Sequence, residues 1–590
     1  MSNSNFLNVP SVVTDLIKAN DTVAKYLVDN SHGIIHDEKD LARTYLHFAI
    51  KIFTSEKEIF KIQKNYFWLI QNQQQLWMRL WNGGWQKDFP LVTPEKNDKR
   101  FSAPEWNETY FDFLKQNYLL ISQMFFNIIN ELDLDKYRKR KLIFYSRQYL
   151  DALSPSNFLI TNPEALKIAK ETNGASITEG FKNLMKDIQN HRITQSDDVT
   201  FKVGENLAIT KGSVVYRNEL IEIIQYAPLT KEVHSIPLLI IPAWINKYYI
   251  LDLQKNNSFI RYYVEQGLTV FIISWKNPTS KMGHLKLDDY VEKGVLNGID
   301  VVRKITGIEK INTLGYCIGG TILSIALAIL TARKQDFVNS ATFLASMLDF
   351  TDIGPMGDVI EEALVRKLER GDILKGGVMP GRTMEKAFNL IRDKDLIWYY
   401  VVNNYLEGKS PPPFDVMEWT NDNTNLPAGM YLFYMRQLVL ENKLSKRNAI
   451  NICGVAINLF KIKIPAFVIG MKEDHISPAK TAFTTTEILK GPLEYLLGES
   501  GHIMGVVNPP SKNKYGYKMG GVLDEGYDEW LRTATSHEGS WWIPWSNWLT
   551  KKSGKLIAAK KQLGNSEFPE LIAAPGSYVF EACCEENFSG

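Results

Sequence analysis

Residues 310–320, KINTLGYCIGG, decide the fold of this chain. β-Branched residues precede Cys317, and an apolar run over 321–330 follows it. This pattern predicts a short strand, a sharp Gly-x-Cys-x-Gly turn and a buried helix, which is the arrangement of a nucleophile elbow. Glycine at positions 315 and 319 suits the turn, because a Cβ atom there would crowd the backbone of the nucleophile. Cys317 is therefore a candidate nucleophile, and a buried structural cysteine beside a Gly-Gly packing point is the alternative.

Strands and helices alternate on both sides of this turn. A helical pattern covers 288–304, between two of the predicted strands. The predicted strands are 213–216, 221–226, 237–242, 269–275, 341–348, 465–470 and 493–497, together with the segment before Cys317. The first two read as a hairpin, and the later ones are continuous apolar runs. Such runs, alternating with helices, predict a parallel sheet that is covered on both faces.

The first third of the chain has a different pattern. Apolar residues recur at helical spacing over 13–27 and 110–132, and a polar break follows near residue 195. We therefore predict a mostly helical N-terminal domain over 1–195 and a catalytic domain over 196–590.

A long interval separates the predicted strands at 341–348 and 465–470. It exceeds what a simple crossover between neighbouring strands needs, so we interpret about 349–460 as a cap inserted over the carboxyl edge of the sheet. The tail after about Gly554 is polar and, apart from the turn at Pro575-Gly576, is expected to be loosely held.

Composition limits the class of protein. The chain has 45% hydrophobic residues and a formal net charge of +2, which is ordinary for a globular protein and gives no nucleic-acid footprint. Four cysteines in 590 residues are too few for a disulfide framework and fit a reducing compartment. We expect no secretory signal in the first ten residues, no transmembrane segment and a cytoplasmic protein.

A base and an acid follow two later strands. Asp474 comes directly after the predicted strand at 465–470, and His502 comes after the one at 493–497. This is the chain order of nucleophile, acid and histidine in α/β-hydrolases. Glu473 and His475 are neighbouring rivals, and His475 is more suited to support than to chemistry. Asp474 as a loop cap and His502 as a satisfied core histidine are the alternatives.

The predicted fold is therefore α/β: an α/β-hydrolase core with an inserted cap subdomain, preceded by the mostly helical N-terminal domain. Such a core supplies an oxyanion hole from two backbone N–H groups. One belongs to the residue after the nucleophile, Ile318, and the other to the loop after an early strand, where Ile245 or Trp244 is the candidate. Asn246 and Asp252 are possible supporting residues nearby, with loop hydrogen bonding and helix capping as the alternatives. We expect no metal site.

The box Gly-Tyr-Cys-Ile-Gly-Gly at 315–320 resembles the lipase-like box of polyhydroxyalkanoate synthases, in which cysteine replaces serine. The resemblance covers nearly the whole chain. In its length, the chain resembles the single-subunit class I enzymes of that family. Further matching segments are 153–158, 237–253, 414–415 with Trp419, 473–475, 500–503, 508–510 and 539–542. One departure is Pro-Ala-Trp at 242–244, where close relatives often carry Pro-Pro-Cys, so Trp244 is expected to reshape the pocket.

The resemblance implies the function and the partners. It implies polymerisation of short-chain (R)-3-hydroxyacyl-CoA, chiefly 3-hydroxybutyryl-CoA, into a polyester with release of CoA. It also implies an acyl-thioester on Cys317, His502 as base, Asp474 as a candidate to activate the attacking hydroxyl, and no cofactor besides the CoA substrate. The family works as a homodimer through the cap, where Trp419 matches a contact position, and it associates with polyester granules in the cytoplasm.

Two rival functions remain open. An intracellular thioesterase or polyester depolymerase would use the same Cys-His-Asp triad, and a granule-coating protein would bind polyester without releasing CoA. The sequence assigns no role to Cys583 and Cys584 and does not fix the acyl chain length.

Overall fold

The computed structural model describes residues 55–81, 90–95, 98–190, 192–197, 199–371, 374 and 377–582. Two compact units emerge from the contacts within the chain. The first combines 1–197 with 386–412, and the second combines 198–385 with 413–590. Residues 386–412 thus belong to the first unit, although the sequence assigns them to the cap. The predicted helix at 13–27 lies outside the described residues.

The described part of the first unit is helical. Its α-helices are α1 (Glu56–Trp81), α2 (Thr109–Glu131), α3 (Lys136–Ala152), α4 (Pro163–Glu171) and α5 (Ala175–Gln189). Helix α2 confirms the prediction for 110–132. Leu69 and Leu76 of α1 pack with Leu120 of α2, which buries the apolar stripe of each helix against the other.

A buried ionic cluster holds part of 386–412 in the first unit. Arg100 lies 3.0 Å from the carboxylate of Asp151, and Lys394 lies 3.6 Å from the same carboxylate. Asp98 accepts a second bond from Arg100 at 2.7 Å. Burial and the nearby Asp151 carboxylate raise the pKa of Asp393 to about 7. Paired charges at this depth explain why the segment packs here, since an unpaired buried charge costs several kcal/mol.

The second unit is built on an eleven-stranded sheet. The strands of this unit are β1 (Gly212–Arg217), β2 (Ile221–Tyr226), β3 (Glu232–His234), β4 (Leu238–Ile241), β5 (Val270–Trp275), β6 (Ile311–Tyr316), β7 (Val338–Leu344), β8 (Val378–Met379), β9 (Leu426–Pro427), β10 (Asn451–Ile452), β11 (Val455–Ala456), β12 (Ala466–Met471), β13 (Leu493–Gly498), β14 (Tyr517–Met519), β15 (Thr535–His537), β16 (Leu556–Ala558) and β17 (Ile572–Ala573). The order in the large sheet is β15-β14-β13-β12-β7-β6-β4-β5-β2-β1-β17.

The six central strands, from β13 to β5, pair in parallel. This confirms the parallel sheet that the apolar runs predict. The flanking strands pair antiparallel; they are β1, β2, β14, β15 and β17. A short turn connects β1 to β2, and such a hairpin reverses the direction of the chain. Strand β7 ends at Leu344, four residues before the predicted end at 348. The next residue, Ala345, takes a φ of +47° and turns the chain.

Helices cover both faces of the sheet. The α-helices of the second unit are α6 (Phe259–Glu265), α7 (Leu287–Asp289), α8 (Asn297–Thr306), α9 (Ile318–Ala332), α10 (Glu362–Glu369), α11 (Gly381–Ile391, which runs on into 386–412), α12 (Asp415–Asn421), α13 (Ala428–Phe433), α14 (Ala479–Ile488), α15 (Tyr527–Thr533) and α16 (Trp542–Lys552). Alternate residues of a strand enter opposite cores: Leu239 and Ile241 pack on one face, and Leu238 and Ile240 pack on the other.

The prediction of a loosely held C-terminal tail is wrong for the described residues up to 582. Strand β16 pairs with β3, and β17 pairs with β1. Tyr578 and Val579 are buried, and the buried Glu222 carboxylate accepts the backbone N–H groups of Ser577 and Tyr578. The tail is polar but finds strand edges and a buried acceptor far away in sequence.

Within the part of the chain that the structure describes, no helix combines the length and the apolarity needed to cross a lipid bilayer.

Candidate active site

Cys317 occupies the sharp turn between β6 and α9. Its backbone has φ +55° and ψ −128°, a conformation that a residue with a side chain rarely adopts. Its N–H donates to the carbonyl of Leu344 at 2.9 Å, and its carbonyl accepts from Gly320. Strained backbone of this kind costs about 1–3 kcal/mol and persists where the surrounding fold enforces it. The geometry is that of a nucleophile elbow.

Two glycines make the elbow sterically possible. A Cβ atom at Gly315 would overlap the backbone of Gly320, so the strand and the helix can approach only without side chains there. A Cβ atom at Gly319 would overlap the carbonyl oxygen of Ile241 and lie 2.8 Å from that of Pro242. Gly319 thus lets the loop after β4 come up against the elbow.

We expect Gly319→Ala to reduce catalysis by about 10²–10³, because the new methyl group must push the loop after β4 away from the elbow. The colliding atoms belong to the backbone, so no rotamer change relieves the overlap. The matched control is Gly298→Ala in α8, where the added methyl group would meet flexible side-chain ends, the nearest being Ile273 Cδ1 at 3.3 Å. Initial rates of both purified variants check the prediction. Equal rates for the two variants would contradict it.

The structure brings His502 and Asp474 together. His502 Nδ1 lies 2.6 Å from Asp474 Oδ2, and both side chains are buried. The other oxygen, Asp474 Oδ1, accepts the N–H groups of Ile476 and Ser477 at 2.8 Å each, which fixes the carboxylate. Glu473, the rival acid, is exposed. Its N–H donates to the Ser500 carbonyl at 2.9 Å and so joins the loops that carry Asp474 and His502.

The electrostatics connect this pair to Cys317. Burial disfavours a charged imidazole, but the Asp474 carboxylate and the Cys317 sulfur outweigh it and raise the pKa of His502 well above its usual value. Because Nδ1 faces Asp474, Nε2 is the ring nitrogen available to the sulfur. This arrangement can hold a proton between sulfur and imidazole while the carboxylate stabilises the imidazolium.

Aromatic residues support the histidine. The ring of Tyr316 stacks on His502 with centroids 5.6 Å apart and 25° between the planes. Trp541 Nε1 donates to the carbonyl of Gly505 at 2.7 Å, and Trp542 Nε1 donates to that of Val506 at 2.9 Å. These bonds fasten the turn that begins at His502. Sequence reasoning missed these roles, although Tyr316 and the two tryptophans lie in the quoted motifs.

The two predicted oxyanion donors belong to the elbow and to the loop that approaches it. Ile318 is the first residue of α9, where helix N–H groups have no partner within the helix. Ile245 lies in the turn after β4, whose Pro242 carbonyl accepts Trp275 Nε1 at 3.0 Å and approaches Gly319. The roles of Ile318 and Ile245 as oxyanion donors stay a prediction.

The far end of the loop after β4 is also tied down. Trp419 in α12 is buried, and its Nε1 donates to the carbonyl of Lys247 at 2.7 Å. The Lys247 ammonium donates to the carbonyls of Tyr578 and Glu581 in the C-terminal tail. Trp419 thus has an internal role in the second unit, and its predicted role at a dimer contact stays a prediction. No sequence signal pointed to this contact with the tail.

Two predicted supporting residues, Asp252 and Asn246, have contacts of their own. Asp252 is fully buried and accepts hydrogen bonds from Thr210 and Ser258, and burial raises its pKa to about 6. Asn246 forms a backbone bridge with Asn423. These contacts favour the alternatives of loop bonding and capping for both residues.

His475 and Trp244 also have identifiable places. His475 directly follows Asp474, and its carbonyl lies against Gly354, where a Cβ atom would approach it to 2.6 Å. Trp244 is buried, and its ring packs 5.8 Å from that of Tyr290.

Comparison with known proteins agrees with this geometry. Residues 97–263 match the family described as the N-terminus of poly-beta-hydroxybutyrate polymerase (PhaC), and residues 236–509 match the alpha/beta hydrolase fold. The poly(3-hydroxyalkanoate) polymerase subunit PhaC of Cupriavidus necator is 40% identical over 511 residues, which cover 85% of this chain and 86% of that protein. The poly(3-hydroxyalkanoate) polymerase of Methylorubrum extorquens is 40% identical over 83% of this chain and 82% of its own. The PhaC subunit of Rhizobium meliloti is 38% identical over a stretch that covers 82% of this chain and 80% of that protein.

These matches span both described units. They confirm an α/β-hydrolase core that follows a helical N-terminal part in the sequence. The chain therefore belongs to the poly(3-hydroxyalkanoate) polymerase family of enzymes.

Proposed function

We propose that this enzyme polymerises short-chain (R)-3-hydroxyacyl-CoA, chiefly 3-hydroxybutyryl-CoA, into polyester and releases CoA through an acyl-thioester on Cys317. The observation that carries the proposal is the strained elbow at Cys317 beside the buried His502–Asp474 pair. The names of the relatives support a polyester product.

The first half of the reaction exchanges one thioester for another. His502 takes the proton of Cys317, and the sulfur attacks the carbonyl carbon of the acyl-CoA. The N–H groups of Ile318 and Ile245 receive the charge on the carbonyl oxygen. The bond from carbon to the CoA sulfur then breaks, and His502 returns the proton to the CoA thiolate. The acyl group stays activated, because the new bond is again a thioester.

The second half forms the ester. The hydroxyl oxygen of another 3-hydroxyacyl unit attacks the thioester carbon, and its proton passes to His502. The ester bond forms while the bond from carbon to Cys317 sulfur breaks, and His502 returns that proton to the sulfur. Asp474 stabilises the imidazolium and need not touch the hydroxyl, since its two oxygens are already bonded to His502 and to backbone N–H groups. These groups supply nucleophile, base and charge stabilisation, so we expect no metal or cofactor.

The same proposal covers location and assembly. We expect a cytoplasmic homodimer that associates with its polyester granules. Helix α1 of the first unit exposes large aromatic side chains, which include Phe60, Phe67 and Trp81, and these suit contact with an apolar polymer surface.

The test mixes the purified protein with (R)-3-hydroxybutyryl-CoA and follows free thiol and turbidity together. We expect CoA release accompanied by an insoluble polyester. Release of CoA into a clear solution would instead indicate a thioesterase. A protein that binds polyester granules but releases no CoA would be a coat protein, and both results contradict the proposal.

A further inference from the structure

Tyr434 lies at the start of a π-helical segment, Tyr434–Leu440. Its ring packs edge-on against Trp244, with centroids 6.2 Å apart, and against Phe350, with centroids 5.9 Å apart. The ring is therefore held from two sides by residues that belong to different loops. Short π-helical segments are often found at functional sites.

The sheet order places this ring over the nucleophile. Trp244 follows β4, Phe350 follows β7, and β6 lies between these two strands. Because parallel strands end at the same edge, a ring that contacts both loops lies over the end of β6, where Cys317 is. The charge of Cys317 also acts on the phenol: burial first, and then that charge, raises the pKa of Tyr434 well above its usual value. Tyr434 is thus a neutral hydrogen-bond donor at neutral pH.

The Tyr434 hydroxyl is unused by the protein. Among the described residues it has no hydrogen-bond partner, and the side chain is largely buried but keeps some exposure. The hydroxyl of Tyr316, the other phenol near Cys317, also lacks a hydrogen-bond partner among the described residues, but it is buried with the core on the opposite face of the sheet. Tyr434 packs with the first core, and Cys317 contacts both. The sulfur therefore lies between the side that carries Tyr316 and the side that carries Tyr434.

We propose that the Tyr434 hydroxyl hydrogen-bonds to the 3-oxygen of the acyl unit carried by Cys317 and so selects 3-hydroxyacyl groups over plain acyl groups. This assignment rests on the proposed function. The carbonyl oxygen of the acyl unit belongs to the N–H groups of Ile318 and Ile245, and the sulfur belongs to His502. The 3-oxygen is the polar atom left without a partner. Of the two phenols near Cys317 whose hydroxyls lack a hydrogen-bond partner among the described residues, Tyr434 is the one on the side of the first core, where the loops after β4 and β7 meet.

The test compares two substrates with a matched pair of variants. Tyr434→Phe removes the hydroxyl and keeps the ring between Trp244 and Phe350. Tyr431→Phe is the control, because Tyr431 is a buried tyrosine one turn earlier in α13. The substrates are (R)-3-hydroxybutyryl-CoA and butyryl-CoA, which lacks the 3-oxygen. The measurement is the apparent second-order rate constant (kcat/KM) for the release of the first CoA, followed in a single turnover.

We expect Tyr434→Phe to lower kcat/KM for (R)-3-hydroxybutyryl-CoA about tenfold and to leave that for butyryl-CoA unchanged, as befits one lost neutral hydrogen bond. Tyr431→Phe should preserve the wild-type ratio. An equal loss on both substrates would show a structural role and overturn the assignment, and so would an unchanged ratio. A wild-type protein that releases CoA from neither substrate would overturn the proposed function, and the assignment with it.

Discussion

Replacing Cys317 by alanine is expected to abolish CoA release, with kcat falling by about 10⁴–10⁶. The loss is this large because the sulfur is the atom that carries the acyl group, and no neighbouring side chain can take its place at the elbow. The fold should persist, since alanine is smaller and Cys317 contributes only a half-buried side chain to the two cores. Thiol release and a thermal unfolding curve check the two halves of the prediction.

The control is Cys453→Ala, which removes the other free cysteine of the described residues. Cys453 Sγ lies 3.5 Å from the Asp288 carbonyl, and burial raises the pKa of its thiol to about 12, so it is a poor nucleophile. This variant should retain nearly full activity. Substantial turnover by Cys317→Ala would remove Cys317 from its proposed role.

Asp474→Asn is expected to lower kcat by about 10⁴ while leaving the backbone of the loop in place. The asparagine carbonyl can still accept the N–H groups of Ile476 and Ser477. The missing charge, however, no longer orients His502 or stabilises its imidazolium. Glu473→Gln is the matched control, because Glu473 is the adjacent exposed acid and should tolerate the change. Comparable losses in the two variants would contradict the assignment of the acid.

The same variant should alter the pH dependence of stability. The folded pKa of His502 is raised above its unfolded value by Asp474 and Cys317. Its contribution to stability is therefore fully present below about pH 6.5 and disappears as pH rises through the folded pKa. We expect the unfolding midpoint of Asp474→Asn to fall further below wild type at pH 6 than at pH 10. A constant gap across this range would contradict the linkage.

The positions of the three candidate residues were predictable, because each residue follows a strand that is itself obvious from its apolar run. Cys317 follows β6, Asp474 follows β12 and His502 follows β13, and parallel strands bring their carboxyl ends to one edge. Gly319 added a local signal, since two glycines around the nucleophile mark a tight turn. The pattern therefore predicts both the sheet and the edge at which these residues meet.

The surrounding support was not predictable, because it depends on contacts between distant segments. The pairing of β17 with β1 joins residues that are more than 350 positions apart in sequence, and polarity alone suggested a free tail. The placement of 386–412 depends on the charges around Lys394, which a hydropathy pattern does not reveal. No sequence signal distinguished Tyr434 from other aromatic residues, because its contacts with Trp244 and Phe350 join three distant segments.

The tie between Lys247 and the carbonyls of Tyr578 and Glu581 has a consequence for proteolysis. The segment after β4 is fastened by residues more than 300 positions away in sequence. A protease that removes residues 578–582 would therefore release a segment of the sheet that it never touches.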